Sequence, residues 1–132
     1  MNKTIQFSTN QKFEIVDLTD QVEEIVDQAK VDNGFCLVFA PHATAAVILN
    51  ENESGLKDDL ILQIKTMFDS KIGFRHDQID DNAQAHLSAS FLGQEVTLPI
   101  VGGQLIRGTW QSILFVELDG PRQARRVVVS LK

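Results

Sequence analysis

Apolar and polar positions along this chain change period several times, and each change marks an element. Ile5-Gln6-Phe7 and Phe13-Glu14-Ile15-Val16-Asp17-Leu18 are short and β-prone, and the polar Thr9-Asn10-Gln11-Lys12 between them predicts a hairpin. The period then lengthens: Val22, Ile25, Val26 and Ala29 share one helical face, Asp20 and Glu23 have the spacing of a capping box, and Asn33-Gly34 stops the helix. Two continuous apolar runs follow, residues 35–39 and 45–49, with Pro41 between them and Asn50-Glu51-Asn52 after. Such runs predict buried strands, both central in their sheet.

Helical spacing returns with Leu56, Leu60, Ile61, Ile64, Met67 and Phe68, for which Ser54 is the expected cap, and the two helices are expected to cover the sheet. From Gly73 to Asp81 the chain turns polar. Asp81 is then placed to cap a short helix from Asn82 to Gly93, with Asn82 and His86 four apart on one face. The rest alternates β-prone runs (residues 95–100, 104–107, 110–117 and 125–131) with Gly102-Gly103 and Asp119-Gly120-Pro121, the pattern of an antiparallel meander. Strands, then helices among them, then more strands predict an α+β fold. We expect a largely antiparallel β-sandwich or barrel-like sheet with two longer helices and one short helix, not a Rossmann-like alternation.

Composition narrows this picture. A chain of 132 residues with 43% hydrophobic side chains can bury one core, so residues 1–132 are expected to form a single domain. A net charge of −6 argues against nucleic-acid binding, which depends on neutralising phosphates. The charge is uneven, because Arg107, Arg122, Arg125, Arg126 and Lys132 crowd the last stretch and leave room for a local anion site. No segment has the roughly 18 continuous apolar residues of a membrane span, and the first residues lack a signal peptide's apolar centre; a soluble cytoplasmic protein with no membrane partner is expected. The single cysteine, Cys36, lies inside an apolar run and reads as a small buried hydrophobe.

Three polar clusters, around His42, around Asn82 and His86, and from Gly108 to Gln111, are the main places that can carry chemistry, and Asn50 to Asn52 adds to the first. His42 follows Pro41 where a loop leaves an apolar strand, a usual place for functional groups, although a histidine satisfying loop backbone is the plainer account. Near the far end of the next strand, Asn50, Glu51 and Asn52 set a carboxylate beside amides; solvated helix-entry polarity is the competing reading. The stretch from Arg75-His76-Asp77 through Asp80-Asp81-Asn82 to His86 is the densest group of acid–base and ligand side chains, yet it contains no HExxH motif and no paired cysteines. In Gly108-Thr109-Trp110-Gln111 the glycine admits a close backbone approach, Thr109 and Gln111 offer hydrogen bonds, and Trp110 can stack on a ring; a buried Trp at a strand start is the alternative. By the period of two, Glu117 shares a face with Gln111, Ile113 and Phe115, so if buried it requires a partner or a raised pKa. There is no GxSxG elbow, GxGxxG loop or P-loop.

In combination, Pro41-His42-Ala43-Thr44-Ala45-Ala46, Asn50-Glu51-Asn52, Asp81-Asn82-Ala83-Gln84-Ala85-His86-Leu87, Gly108-Thr109-Trp110-Gln111, Glu117 and Asp119-Gly120-Pro121-Arg122 resemble the YjbQ-like family, also labelled secondary thiamine-phosphate synthase. The resemblance spans nearly the whole chain. It implies a homotrimer and a polar cavity lined by His42, Thr44, Asn50, Glu51, Asn82, His86, Thr109 and Gln111. An anion or a divalent metal, magnesium or zinc, would bind there, with His76 and His86 as candidate metal ligands. Two departures count against a metal: Gln84 stands where some members have another histidine, and Ser54-Gly55 replaces an Asp-Pro pattern.

The activity implied joins an aminopyrimidine diphosphate to a thiazole phosphate and expels pyrophosphate. On that reading His42, Glu51 and His86 are the candidate catalytic residues, and Trp110 and Arg122 join Thr44, Asn50, Asn82, Thr109 and Gln111 around the phosphorylated substrate. Hydrolysis of a small phosphate ester, or a non-catalytic oligomeric module that holds a metabolite or metal, would use the same cavity.

Overall fold

The computed structural model describes residues 1–132 and arranges eight strands in two antiparallel sheets with three α-helices. In spatial order, the five-stranded sheet contains β1 (Asn2–Phe7), β8 (Arg125–Leu131), β3 (Gly34–Phe39), β5 (Glu95–Val101) and β6 (Gln104–Leu105). The three-stranded sheet contains β2 (Glu14–Asp17), β7 (Ser112–Glu117) and β4 (Ala45–Asn50). The helices are α1 (Thr19–Ala29), α2 (Ser54–Met67) and α3 (Ala83–Leu92). The α+β class and the sandwich-like antiparallel architecture are those the sequence pattern predicts.

Alternation places the cores. Cys36, Val38, Leu98, Ile100, Val127, Val129 and Leu131 from the large sheet meet Ala45, Val47, Ile113 and Phe115 from the small one, and Val22 and Val26 of α1 join this main core. The opposite face of the small sheet, with Ala46 and Val116, packs against Ile64 of α2 and Ala85 and Ala89 of α3. The small sheet is thus covered on both sides, which explains why β7 is buried from Ile113 to Glu117. Alanines at 46, 85 and 89 allow α3 to approach closely, and the Gln84 amide ties α3 to the end of α2 by donating to the Phe68 carbonyl at 2.8 Å. Cys36 has no exposure, and burial pushes its thiol up to about 11, in keeping with a structural hydrophobe.

Several local expectations give way to longer-range pairing. The first two strands do not form a hairpin: β1 pairs with β8 and β2 with β7, so residues 9–12 carry the chain between sheets. Pairing with β8 over six residues buries Ile5, and the turn-forming composition of the connection does not oppose it. Nor do the last strands form a meander. Only β5 and β6 pair in sequence; β7 crosses to the small sheet and β8 returns to the large one. The second of the late runs shortens to Gln104–Leu105, and Trp110 lies outside the strand formed by the third. β3 is central as expected, but β4 is an edge strand of its sheet, covered by α3.

The helix starts also differ. Asp17 rather than Asp20 serves α1, its Oδ1 accepting from the Thr19 backbone N–H and hydroxyl. Glu53 rather than Ser54 caps α2, its carboxylate accepting from the Gly55 and Leu56 N–H groups, which hold it below the usual carboxylate range. At α3 the expected cap, Asp81, sits in the left-handed region at φ 54°, and Asp77 Oδ1 accepts the Ala83 N–H at 2.9 Å instead. In each case a carboxylate that precedes the expected cap satisfies the orphan donors, Glu53 from the cap position itself and Asp17 and Asp77 from further upstream.

Candidate functional site

The end of the sandwich where β7 finishes and β8 begins holds a continuous polar network. Glu117 obeys its strand parity and points into the layer that contains Ile113 and Phe115, with no exposed surface. Arg125 has the same parity as Val127, Val129 and Leu131 and meets it from the opposite sheet, forming a buried two-point ion pair. Thr9 donates its hydroxyl to Glu117 Oε1 at 2.6 Å, while Oε2 accepts the N–H groups of Leu118 and Asp119 at 3.1 Å. Burial alone would raise this carboxyl's pKa. The hydrogen bonds of Arg125, Thr9 and Asp119, with the Arg125 charge, outweigh it and hold Glu117 below its ordinary value. Arg125 also donates to the Thr44 hydroxyl at 3.0 Å, so Thr44 completes the ion pair.

From Glu117 the network continues outward. Asp119, its N–H held by Glu117, receives the Arg122 guanidinium at 2.9 Å and the Asn82 amide at 3.0 Å on the same oxygen, Oδ2. Asn82 Oδ1 then meets His76 Nε2 at 3.0 Å. The His76 and His86 rings stand edge to face, 4.7 Å between centroids. Both line a cavity of about 410 Å³ with Phe74, Ala83 and Leu87, and His76 also borders a second hollow of about 390 Å³ with Arg75, Gln78 and Ile79. Because Asn82 is engaged sideways, it leaves the capping of α3 to Asp77. Gly120 lets the loop after β7 lie flat, since a Cβ there would stand 2.0 Å from the Gln11 carbonyl oxygen and 2.9 Å from Glu117 Cγ.

His42 belongs to the same end but faces another way. Its Nε2 lies 3.0 Å from the Arg126 backbone N and 3.1 Å from the Arg126 carbonyl oxygen, the loop-backbone arrangement weighed as the plainer account. Burial, then the Arg125 charge, lower its pKa against the opposing pull of the Arg126 backbone bond and the Glu117 charge.

The remaining candidates lie at the opposite end of the small sheet. Ala45 of β4 is opposite Glu117 of β7, whereas Asn50 is opposite Ser112; the strand between them spans roughly 17 Å. There Asn50 Oδ1 accepts the Glu51 N–H, Gln111 accepts the Gly108 N–H at 2.7 Å, and Arg107 donates to the Gln111 carbonyl and pairs with Glu23 at 2.8 Å. Thr109 is exposed, and Trp110, 73% exposed, is not a buried strand-start residue. Within one chain, therefore, Asn82, His76, His86 and Arg122 are brought together, and Asn50, Glu51, Thr109, Trp110 and Gln111 are not brought to them. A third hollow of about 260 Å³, lined by Glu23, Asp27, Gln104 and Leu105, lies away from the histidines.

A catalytic zinc ordinarily takes three protein ligands. One chain offers two imidazoles, one of them already bonded to Asn82, and no group of three or more His, Cys, Asp or Glu side chains suited to a metal. These two imidazoles do not by themselves make up the three-ligand set of a catalytic zinc within one chain.

The sequence offered Arg125 only as one of several late arginines for an anion and Asp119 only as part of a motif, although each left a stronger signal. Arg125 is the one charged residue on an otherwise apolar parity of β8, and Asp119 lies in the turn that carries Arg122.

A family model for UPF0047, YjbQ-like proteins matches residues 3–132. The chain belongs to that family. Among UPF0047 proteins, one from Archaeoglobus fulgidus is 42% identical over 96% of this chain and 98% of its own length, and YugU of Bacillus subtilis is 34% identical over 92% of each. Among solved structures, a YbjQ-like protein of unknown function from Sulfolobus solfataricus P2 superposes with a TM-score of 0.98 at 48% identity, covering 99% of this chain and 95% of that one. A hypothetical protein from Aeropyrum pernix K1 gives 0.96 at 37% identity, covering 100% and 98%. The UPF0047 architecture is thus shared along the whole chain. No helix is long and apolar enough to cross a membrane.

Proposed function

We propose that this UPF0047 protein is an enzyme of small phosphorylated molecules with thiamine phosphate synthase-like chemistry, carried out at the His76–His86 cavity. The observation that supports the reading is the pairing of two imidazoles on an apolar-walled cavity, with Asn82, Asp119 and Arg122 behind them. Phe74 and Leu87 offer a surface for a flat ring. In the reaction, the thiazole nitrogen lone pair forms a bond to the methylene carbon of the aminopyrimidine while that carbon's bond to the diphosphate oxygen breaks. Pyrophosphate leaves with the bonding electrons. Charge gathering on it would be met by a protonated imidazole and by Arg122 or Arg75. The acid–base role thus moves to His76 and His86, because His42 is engaged by Arg126 and Glu51 stands at the opposite end of β4.

Homotrimer assembly is part of the same proposal. The outer face of the large sheet carries Phe35, Phe39 and Val101, 61%, 38% and 55% exposed, and a neighbouring subunit is the natural cover; the mass in solution checks it. Assembly would also give the Asn50–Gln111 end a way to meet another chain's histidines.

Purified protein incubated with both precursors should release pyrophosphate and form thiamine phosphate, with His76→Ala and His86→Ala lowering the rate about 10²–10⁴-fold while circular dichroism is unchanged. Release of inorganic phosphate from a phosphate ester, sensitive to the same changes, would replace this reading with a hydrolase. Calorimetric binding with no turnover would replace it with a non-catalytic module. Chelation followed by magnesium or zinc in the same assay reads any metal dependence.

A further inference from the structure

We propose that Asp119 is a positioning residue that fixes the tautomer of His76 through Asn82, so that Nδ1 is the ring atom left with a free lone pair. The argument follows from what each group can do. The Asp119 carboxylate, paired with Arg122, only accepts, so Asn82 must turn its NH₂ toward it. That orientation aims the Asn82 carbonyl oxygen, also only an acceptor, at His76 Nε2 at 3.0 Å. A neutral imidazole bonded there must carry its proton on Nε2. The opposite tautomer would set two lone pairs against each other across a half-buried contact.

The relay is anchored at its origin. Asp119 is held by Arg122 through both its side chain and its carbonyl, by the Asn82 amide, and through its own N–H by the buried Glu117. Gly120 keeps the following turn against Gln11. The two rings meet edge to face, so a fixed His76 also constrains the orientation available to His86. The assignment concerns the free protein and holds whichever reaction the cavity serves; its failure and the failure of the proposed chemistry are therefore separate results.

Long-range ¹H–¹⁵N correlation spectra of the full chain at pH 8, where ordinary imidazoles are neutral, separate the two nitrogens by their shifts. The wild type should show His76 predominantly as the Nε2–H form. In Asp119→Ala the Asn82 amide is free to turn, and the ratio of Nε2–H to Nδ1–H should fall roughly five- to tenfold, the factor that goes with one hydrogen bond. The exchanged pair, Asn82→Asp with Asp119→Asn, keeps an acceptor toward His76 and should restore the Nε2–H form, an outcome a merely structural role would not produce. His42, bonded elsewhere, should keep its shifts in every variant that folds. A wild-type His76 found mainly as Nδ1–H overturns the assignment, as does an unchanged ratio in Asp119→Ala. If that variant does not fold, the wild-type spectrum and the exchanged pair decide.

Discussion

The two ends of β7 carry comparable numbers of polar side chains and treat them differently. At the Glu117 end the groups are buried or half-buried, and each is completed by another side chain: Glu117 by Arg125 and Thr9, Asp119 by Arg122 and Asn82, Asn82 by His76. At the Ser112 end, Arg107 pairs with Glu23 at a partly exposed contact and bonds the Gln111 carbonyl, Gln111 folds back on Gly108, and Trp110 projects outward. Water is an adequate partner for exposed groups, so nothing there compels convergence. Where burial removes water, unmet donors and acceptors cost about 1–3 kcal/mol each, and the side chains must find one another. Pre-organisation in this protein follows burial.

The largest expected effect tests that difference directly. Arg125→Ala leaves Glu117 without its cation in a site with no exposed surface and should destabilise the fold by about 3–5 kcal/mol in urea denaturation. Replacing both members, Glu117→Leu with Arg125→Met, removes the unpaired charge and should recover part of that loss, the remainder reflecting the Thr9 and Asp119 donors left without their acceptor. If the double change is as damaging as the single one, the cost lies in lost packing and the contrast between the two ends fails.

Acid supplies a graded version. Glu117 titrates below its ordinary value in the folded chain, so its contribution is fully present above the unfolded pKa, near 4.5, and fades as pH falls through the native one. Urea midpoints at pH 7, 5 and 3 should drop more steeply in the wild type than in the apolar double variant. Parallel profiles would remove Glu117 from the account of acid sensitivity. At the other end the smallest effect is expected: Trp110→Ala should shift the stability of the single chain by no more than about 0.5 kcal/mol, because its ring is mostly exposed. A larger loss in the assembled protein would mean that another subunit covers it.

How much of this was legible follows the same division. The dense polar stretch from Arg75 to His86 was visible as composition, and it does hold the facing histidines. Parity placed Glu117 in the apolar layer with its need for a partner. What could not be read was which distant residue would answer. Arg125 reaches Glu117 from the other sheet and Thr9 from the connection between β1 and β2, and the preference of the first two strands for β8 and β7 over a local hairpin is a competition among pairings that a sequence window does not contain. The resemblance to UPF0047 proteins joined the clusters into one cavity, and a single chain separates them by the length of β4. Helix caps were missed for a smaller reason: Asp17 and Asp77 act from further upstream than the expected Asp20 and Asp81, and Glu53 is one residue before the expected Ser54.

The Glu117–Arg125 pair has a consequence for how such a chain can change over generations. Either charge removed alone leaves the other unpaired in a water-free interior, and removing both spares that cost while still orphaning the Thr9 and Asp119 donors, so the route from a charged to an apolar pair runs through its least stable step first. Glu117 also holds the backbone of Asp119, which ties the cavity's own scaffold to the same barrier.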